Sequence, residues 1–318
     1  EKYMNIRNDD LTVDIPIFEM SDDDFGKEFK TLPKNYYYTK GEPLHHISIY
    51  KTESAKYLLI DIAHIISDGY SLDIIIEDLE KLYNGQTVEK EKHDFYELIL
   101  ENTTESNSQT AVKRSEYLSS LMNGLKLDRS ILNKKGYEDF NQGKYYTLRG
   151  VLTDIDRLKG YCKEHSISEN TFFLTAFNYC INIFSNRKDT LSTSIHSGRT
   201  DSRWTRTVGS VFSTYNFRYT FDNTQKVSEM LRNGATQILD TMRHHVSTFH
   251  ADEMFFQYQG KLFEFSTIGN EPVQIVPMKL DGYPFHFIVM DIRDTYKYEL
   301  RFLDTRYDQK QLEIFVNI

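Results

Sequence analysis

Cysteine is nearly absent: Cys162 and Cys180 are the two thiols in 318 residues. Two thiols build neither a disulfide framework nor a set of metal ligands, so both read as core residues of helical segments, and no metal is expected. Long apolar runs are missing as well. No stretch of about eighteen apolar residues occurs, and the opening Glu1-Lys2-Tyr3-Met4 is not a basic start followed by an apolar signal segment. A soluble, cytoplasmic protein without a membrane partner is expected. Positive charge is in deficit, with 38 Lys and Arg against 47 Asp and Glu and a formal net charge of -9. That balance argues against nucleic acid as a partner. The Gly-x-Ser-x-Gly elbow, the phosphate-binding Gly-Lys loop and the His-Glu-x-x-His zinc motif do not occur either, which removes the commonest rival enzymes.

What is present is material for a packed core. The chain is 39% hydrophobic and 14% aromatic, with 22 Tyr and 21 Phe. Those rings can fill a core and line a substrate cleft, and the length suggests two domains or two lobes. The chain starts without Met, in the middle of a folding pattern, and reads as a piece of something longer.

Residues 46–50 and 56–62 alternate or run apolar over strand length, predicting an antiparallel pair. After a short loop, Ser71 can cap a helix whose apolar positions Leu72, Ile75, Ile76, Leu79, Leu82 and Tyr83 keep helical spacing, ending at Asn84-Gly85. Residues 85–93 and 101–109 are polar and read as surface connections, with helical spacing at 95–100 and 112–122. Residues 1–124 form the expected N-terminal lobe, 125–144 the connection, and 145–318 the C-terminal lobe. In the latter, strands are expected at 145–152, 191–196, 211–221, 285–292 and 298–303, and helices at 227–245 and 308–316. Thr153 can cap a further helix, and residues 168–184, apolar almost all round, predict one buried between layers. Mixed elements in this order give an α/β (α+β) class.

The segment Ala63-His64-Ile65-Ile66-Ser67-Asp68-Gly69 lies between the second strand and the helix. A histidine at a strand end can project into a cleft, Asp68 can fix the turn, and Gly69 allows close backbone approach. The tandem pairs His45-His46 and His244-His245 read as structural or surface residues, the first because successive strand positions face opposite ways.

This segment resembles the active-site motif of the condensation domains of nonribosomal peptide synthetases: two histidines, three variable residues, aspartate and glycine. Here the first histidine is Ala63. Gly198-Arg199 and Val208-Gly209 are similar to further pieces of the family pattern. The resemblance implies two chloramphenicol acetyltransferase-like lobes forming a V around a central tunnel, with the first strand and helix of the first lobe falling before this chain begins. It also implies His64 as the catalytic residue, supported by Ala63, Ser67, Asp68 and Gly69, with Asp68 held by an arginine of the first lobe, either Arg7 or a residue outside the chain. The implied reaction is amide formation between a carrier-bound thioester donor and an amine acceptor. No cofactor is bound directly; phosphopantetheine arrives on donor and acceptor carrier proteins or domains, and adjacent synthetase domains are further partners. Ester formation or epimerization by the same histidine, and a non-catalytic docking module, are the alternatives.

Overall fold

A computed structural model describes residues 13–37, 41–105, 109–125, 143–244, 254–261, 267–269, 271–273, 283–292 and 295–318. The chain opens with β1 (Ile17–Glu19) and α1 (Asp22–Glu28), then β2 (His45–Lys51) and β3 (Lys56–Ile62). β2 pairs antiparallel with β3, as expected, and parallel with β1. Ser21 caps α1 by accepting the Asp24 N–H, and three aspartates in its first turn suit the positive end of the helix dipole. Phe25 of α1 seals this sheet by packing on Tyr50 and Leu59. Neither β1 nor α1 was expected, because three and seven residues are too short to display a period.

α2 (Gly69–Tyr83) follows the motif segment, and α3 (Phe95–Glu105) and α4 (Gln109–Met122) come next. Two expectations are corrected here. The cap of α2 is Asp68, whose side chain accepts the Ser71 N–H, so Ser71 lies inside the first turn. Residues 101–105, expected as a connection, continue α3, with Asn102, Thr103 and Thr104 exposed to solvent.

β4 (Tyr145–Val151), α5 (Ile155–Glu164), α6 (Glu169–Ser185), β5 (Asp189–His196), β6 (Ser213–Thr220) and α7 (Val227–Arg243) form the next run. Asp154, in the left-handed region and without a capping bond, takes the cap position of α5 that Thr153 was expected to fill. The last elements are β7 (Phe255–Gly260), the short pair β8 (Thr267–Ile268) and β9 (Glu271–Pro272), then β10 (Phe285–Ile292), β11 (Thr295–Leu303) and α8 (Gln309–Phe315). Six strands make one mixed sheet in the order β4-β11-β10-β7-β5-β6, with β7 parallel to both neighbours. β7 is not among the expected strands, although Phe256-Gln257-Tyr258-Gln259 alternates over part of its length; Phe255 and Phe256 point to opposite faces and both are buried.

α6 is the buried helix its sequence predicts. Leu174, Phe177 and Ile181 face the sheet beside Phe256, Phe285 and Phe315, each such side chain contributing roughly 1.5–3 kcal/mol. Asn178 sits among them with its amide satisfied: Nδ2 donates to the Leu174 carbonyl at 3.0 Å and to Ser192 Oγ at 2.8 Å, while Oδ1 accepts from Thr190 Oγ1 at 3.1 Å. The bonds to Ser192 and Thr190 fix α6 on β5, whose C-terminal end leads into the loop that carries Arg199. The expected connection falls mostly on residues 126–142, outside the described residues. Among the described residues no helix is long and apolar enough to cross a membrane.

Candidate active site

The motif segment leaves β3 in a tight turn. Ala63 is buried; its N–H donates to the Leu44 carbonyl at 2.8 Å and its own carbonyl accepts the Ile66 N–H at 3.0 Å. The turn carries His64 outward into solvent reach. Its Nδ1 lies 2.8 Å from the Ser67 carbonyl. A carbonyl only accepts, so Nδ1 carries the proton, and in the neutral ring Nε2 is left with its lone pair. Nε2 has no hydrogen-bond partner among the described residues. The Phe212 ring lies beside the imidazole, centroids 5.0 Å apart and tilted by 46°.

Asp68 is the hub beneath this turn. Oδ1 accepts from the Ser71 N–H at 2.8 Å, and Oδ2 from the amides of Val211 and Phe212 at 3.1 and 3.2 Å. Arg199 closes the pair in a two-pronged arrangement, Nη1 to Oδ2 at 2.9 Å and Nη2 to Oδ1 at 3.1 Å. The expectation of an arginine from the first lobe is therefore corrected: the partner comes from the loop after β5, and Arg7 lies outside the described residues. Only 2% of the Arg199 side chain and 4% of the Asp68 side chain are exposed. Burial pushes the Asp68 carboxyl up, but the hydrogen bond and charge of Arg199, with help from Ser71, outweigh it and hold the group below the usual carboxylate range.

Val211 and Phe212 were expected to open a strand. Their amides go to Asp68 instead, so β6 begins at Ser213. Ser71, fully buried, ties the same loop down by accepting the Gly209 N–H at 3.0 Å. Gly69 opens α2 without a left-handed φ; the glycine whose backbone the site requires is Gly198. Its φ is +70°, and a Cβ there would meet the Val211 carbonyl oxygen at 1.8 Å. Gly198→Ala is expected to destabilise the fold by more than the roughly 1–2 kcal/mol of a left-handed residue alone; a urea midpoint equal to wild type would contradict the close approach.

The segment between Gly198 and Phe212 also spans α2 and α3. Trp204 packs with Leu98 and Val211, Thr207 Oγ1 donates to the His93 carbonyl at 2.7 Å, and the Val208 N–H donates to Glu91 Oε1 at 2.9 Å. The exposed Arg203 forks onto Glu101 at 3.0 and 2.9 Å, and Arg206 reaches Glu77 at 3.0 Å and Asp78. Such exposed pairs add little stability each; the buried Asp68–Arg199 pair anchors the segment.

The other sequence candidates have structural surroundings. His45 and His46 open β2, as expected. His244 stacks on Tyr117 at 4.5 Å, and its Nδ1 donates to the Asp240 carbonyl; His245 lies outside the described residues. Cys162 and Cys180 are free, and burial pushes both thiols up, that of Cys180 to about 11. A histidine the motifs did not flag, His286 on β10, packs edge-on against Phe255 and Tyr283 and bonds Gln257.

Burial pushes the His286 imidazole down to about 3 from the ordinary 6.5, with the Arg301 charge acting the same way and Glu299 opposing. Between those values the unfolded chain binds the additional proton. His286 thus contributes stability that is full above the unfolded value and declines as pH falls toward the folded one, at up to about 1.4 kcal/mol per pH unit. Denaturation midpoints followed from pH 7 down to 4 should fall less steeply in His286→Gln than in wild type. Parallel pH profiles would exclude His286 as the source.

Residues 3–251 match the family model described as the condensation domain. The hybrid PKS-NRPS synthetase xenE of Xenoacremonium sinensis is 37% identical over 70 residues, which is 22% of this chain and 2% of that protein's length. The chain thus spans a small part of the synthetases it matches. Among solved structures, the condensation domain from the Monacolin K polyketide synthase MokA superposes with a TM-score of 0.78 at 16% identity, covering 95% of this chain and 77% of that one. The epimerization domain from the third module of tyrocidine synthetase B gives 0.75 at 14% identity, with the same coverages. Both likenesses establish a shared fold, the chloramphenicol acetyltransferase-like one.

Proposed function

The chain belongs to the condensation-domain family of nonribosomal peptide synthesis, and on that premise we propose that it forms an amide between a carrier-bound acyl thioester and an amine acceptor, with His64 as the base. The observation that carries this reading is the 2.8 Å contact between His64 Nδ1 and the Ser67 carbonyl, which calls for a proton on Nδ1 and leaves Nε2 able to accept one.

In the proposed reaction the acceptor amine attacks the thioester carbonyl, forming the C–N bond. Nε2 takes a proton from the nitrogen as it becomes positive. The tetrahedral intermediate collapses, the C–S bond breaks, and the thiolate leaves on its phosphopantetheine arm, taking up the proton from the imidazolium. The Ser67 carbonyl steadies the ring in both charge states, since Nδ1 is a donor in each. Asp68 is the support of the site and not a second base, because its oxygens are committed to Arg199, Ser71 and two backbone amides. A free α-amine titrates at about 7.7–8.0, so a useful fraction is already uncharged near neutrality. The larger contribution is then holding two tethered substrates together, an effect that reaches effective molarities on the order of 10⁵ M.

The test supplies the protein with a donor-loaded carrier and an amine-bearing acceptor carrier and follows both by mass spectrometry. Joined product on the acceptor carrier supports condensation. Inversion of the donor Cα without joining would instead assign an epimerase, and carrier binding without any product a docking module with Ala63 as the mark of lost chemistry.

A further inference from the structure

We infer that Phe212 is a positioning residue for His64: its ring fixes the stance of the imidazole that the Ser67 carbonyl alone would leave free to turn. The inference deepens the proposed function and rests on His64 being the base.

His64 is exposed, and its one hydrogen bond among the described residues runs from Nδ1 to a carbonyl of its own loop. A single bond at a solvent-exposed site leaves both side-chain torsions able to exchange rotamers. The Phe212 ring, 5.0 Å away by centroids, occupies one side of the imidazole and removes part of that freedom. The ring can do so because its own backbone is held. The Phe212 and Val211 amides both end on Asp68 Oδ2, and the Val211 carbonyl lies where Gly198 allows it. Asp68 in turn is clamped by Arg199 and caps the helix that follows His64. The loop after β5 and the lead-in to β6 therefore act on the histidine through one ring. Phe212 itself is only half-buried, so its ring contributes less to the core than the fully buried aromatics of the sheet.

The test is nuclear magnetic resonance of the protein labelled in its histidine rings, with the His64 signals assigned by their loss in His64→Ala. In wild type the His64 nitrogens should show the Nδ1–H tautomer, and its ring protons should show a nuclear Overhauser contact to Phe212. Phe212→Leu should lose the ring-current displacement and mix the tautomers, while Phe212→Tyr keeps both wild-type signatures. In the condensation assay Phe212→Leu should lower kcat by about 10-fold or more, since misplacement of a catalytic group by about 1 Å can cost roughly 10²-fold. KM should stay within about 2-fold, and Phe212→Tyr should restore kcat. Missing Overhauser contact in wild type overturns the inference without any variant, and so do unchanged His64 signals in Phe212→Leu or equal behaviour of the Leu and Tyr variants. If wild type makes no product with any donor, the condensation reading fails, while the spectra still decide whether Phe212 sets the histidine.

Discussion

Replacing His64 with alanine is expected to lower the rate of product formation by about 10²- to 10⁴-fold, the range of a well-placed general base. Folding should be untouched. The side chain is exposed and its bond is to a turn that Ala63 and Ile66 already close through their backbones. The loss should fall on the chemical step, so single-turnover experiments with saturating carriers should show it in full. Turnover does not vanish in the variant, because approximation of the tethered substrates survives the substitution. A fall of less than about 10-fold would remove His64 as the base and leave positioning as the whole of catalysis.

The second large effect is on stability. The Asp68 side chain is 4% exposed in the intact pair; Arg199→Ala removes its cation, and breaking one side of a buried pair destabilises by about 3–5 kcal/mol. Arg199→Lys should recover little, because one ammonium cannot reproduce two parallel bonds to Asp68 together with the bond to the Thr207 carbonyl. Asp68→Ala should be similarly harmful, and the double variant less so than the sum, since removing both partners leaves no orphaned charge. Chemical denaturation of the four proteins measures this, and additive losses would mean the two residues do not act as a pair. The pH behaviour follows from the depressed Asp68 carboxyl. Its contribution is present above the unfolded value, ordinarily 3.8, and is lost as pH falls through the lower folded one, so the pair supports the protein at neutrality and fails only in strong acid.

These effects show which parts of the site are local and which are not. His64, Asp68 and the helix after them were readable because strand, turn and helix follow one another within a short stretch. The cap was misassigned to Ser71 because either hydroxyl or carboxylate suits that role by type; what decides it is that Ser71 is needed by Gly209 across the fold. Arg199 stood out only as a fragment of a family pattern, and nothing local identifies its partner. The start of β6 moved for the same reason, two amides being drawn to a carboxylate far away in the chain. β7 offers only the four alternating residues 256–259 before Gly260 ends it, too few to stand out, and α1 was too brief to show its single buried Phe25.

The distance in sequence between Asp68 and its partners, 131 residues to Arg199 and 144 to Phe212, has a consequence for how the protein is made. At ribosomal rates of about 5–20 residues per second, His64 emerges on the order of ten seconds before the residues that hold it. During that interval Asp68 is a helix cap exposed to water, and the imidazole has no fixed stance. The site therefore comes into being late, once β5 and β6 have paired, and a nascent or clipped chain that stops short of Arg199 carries the whole motif with its local turn and cap but none of its long-range support.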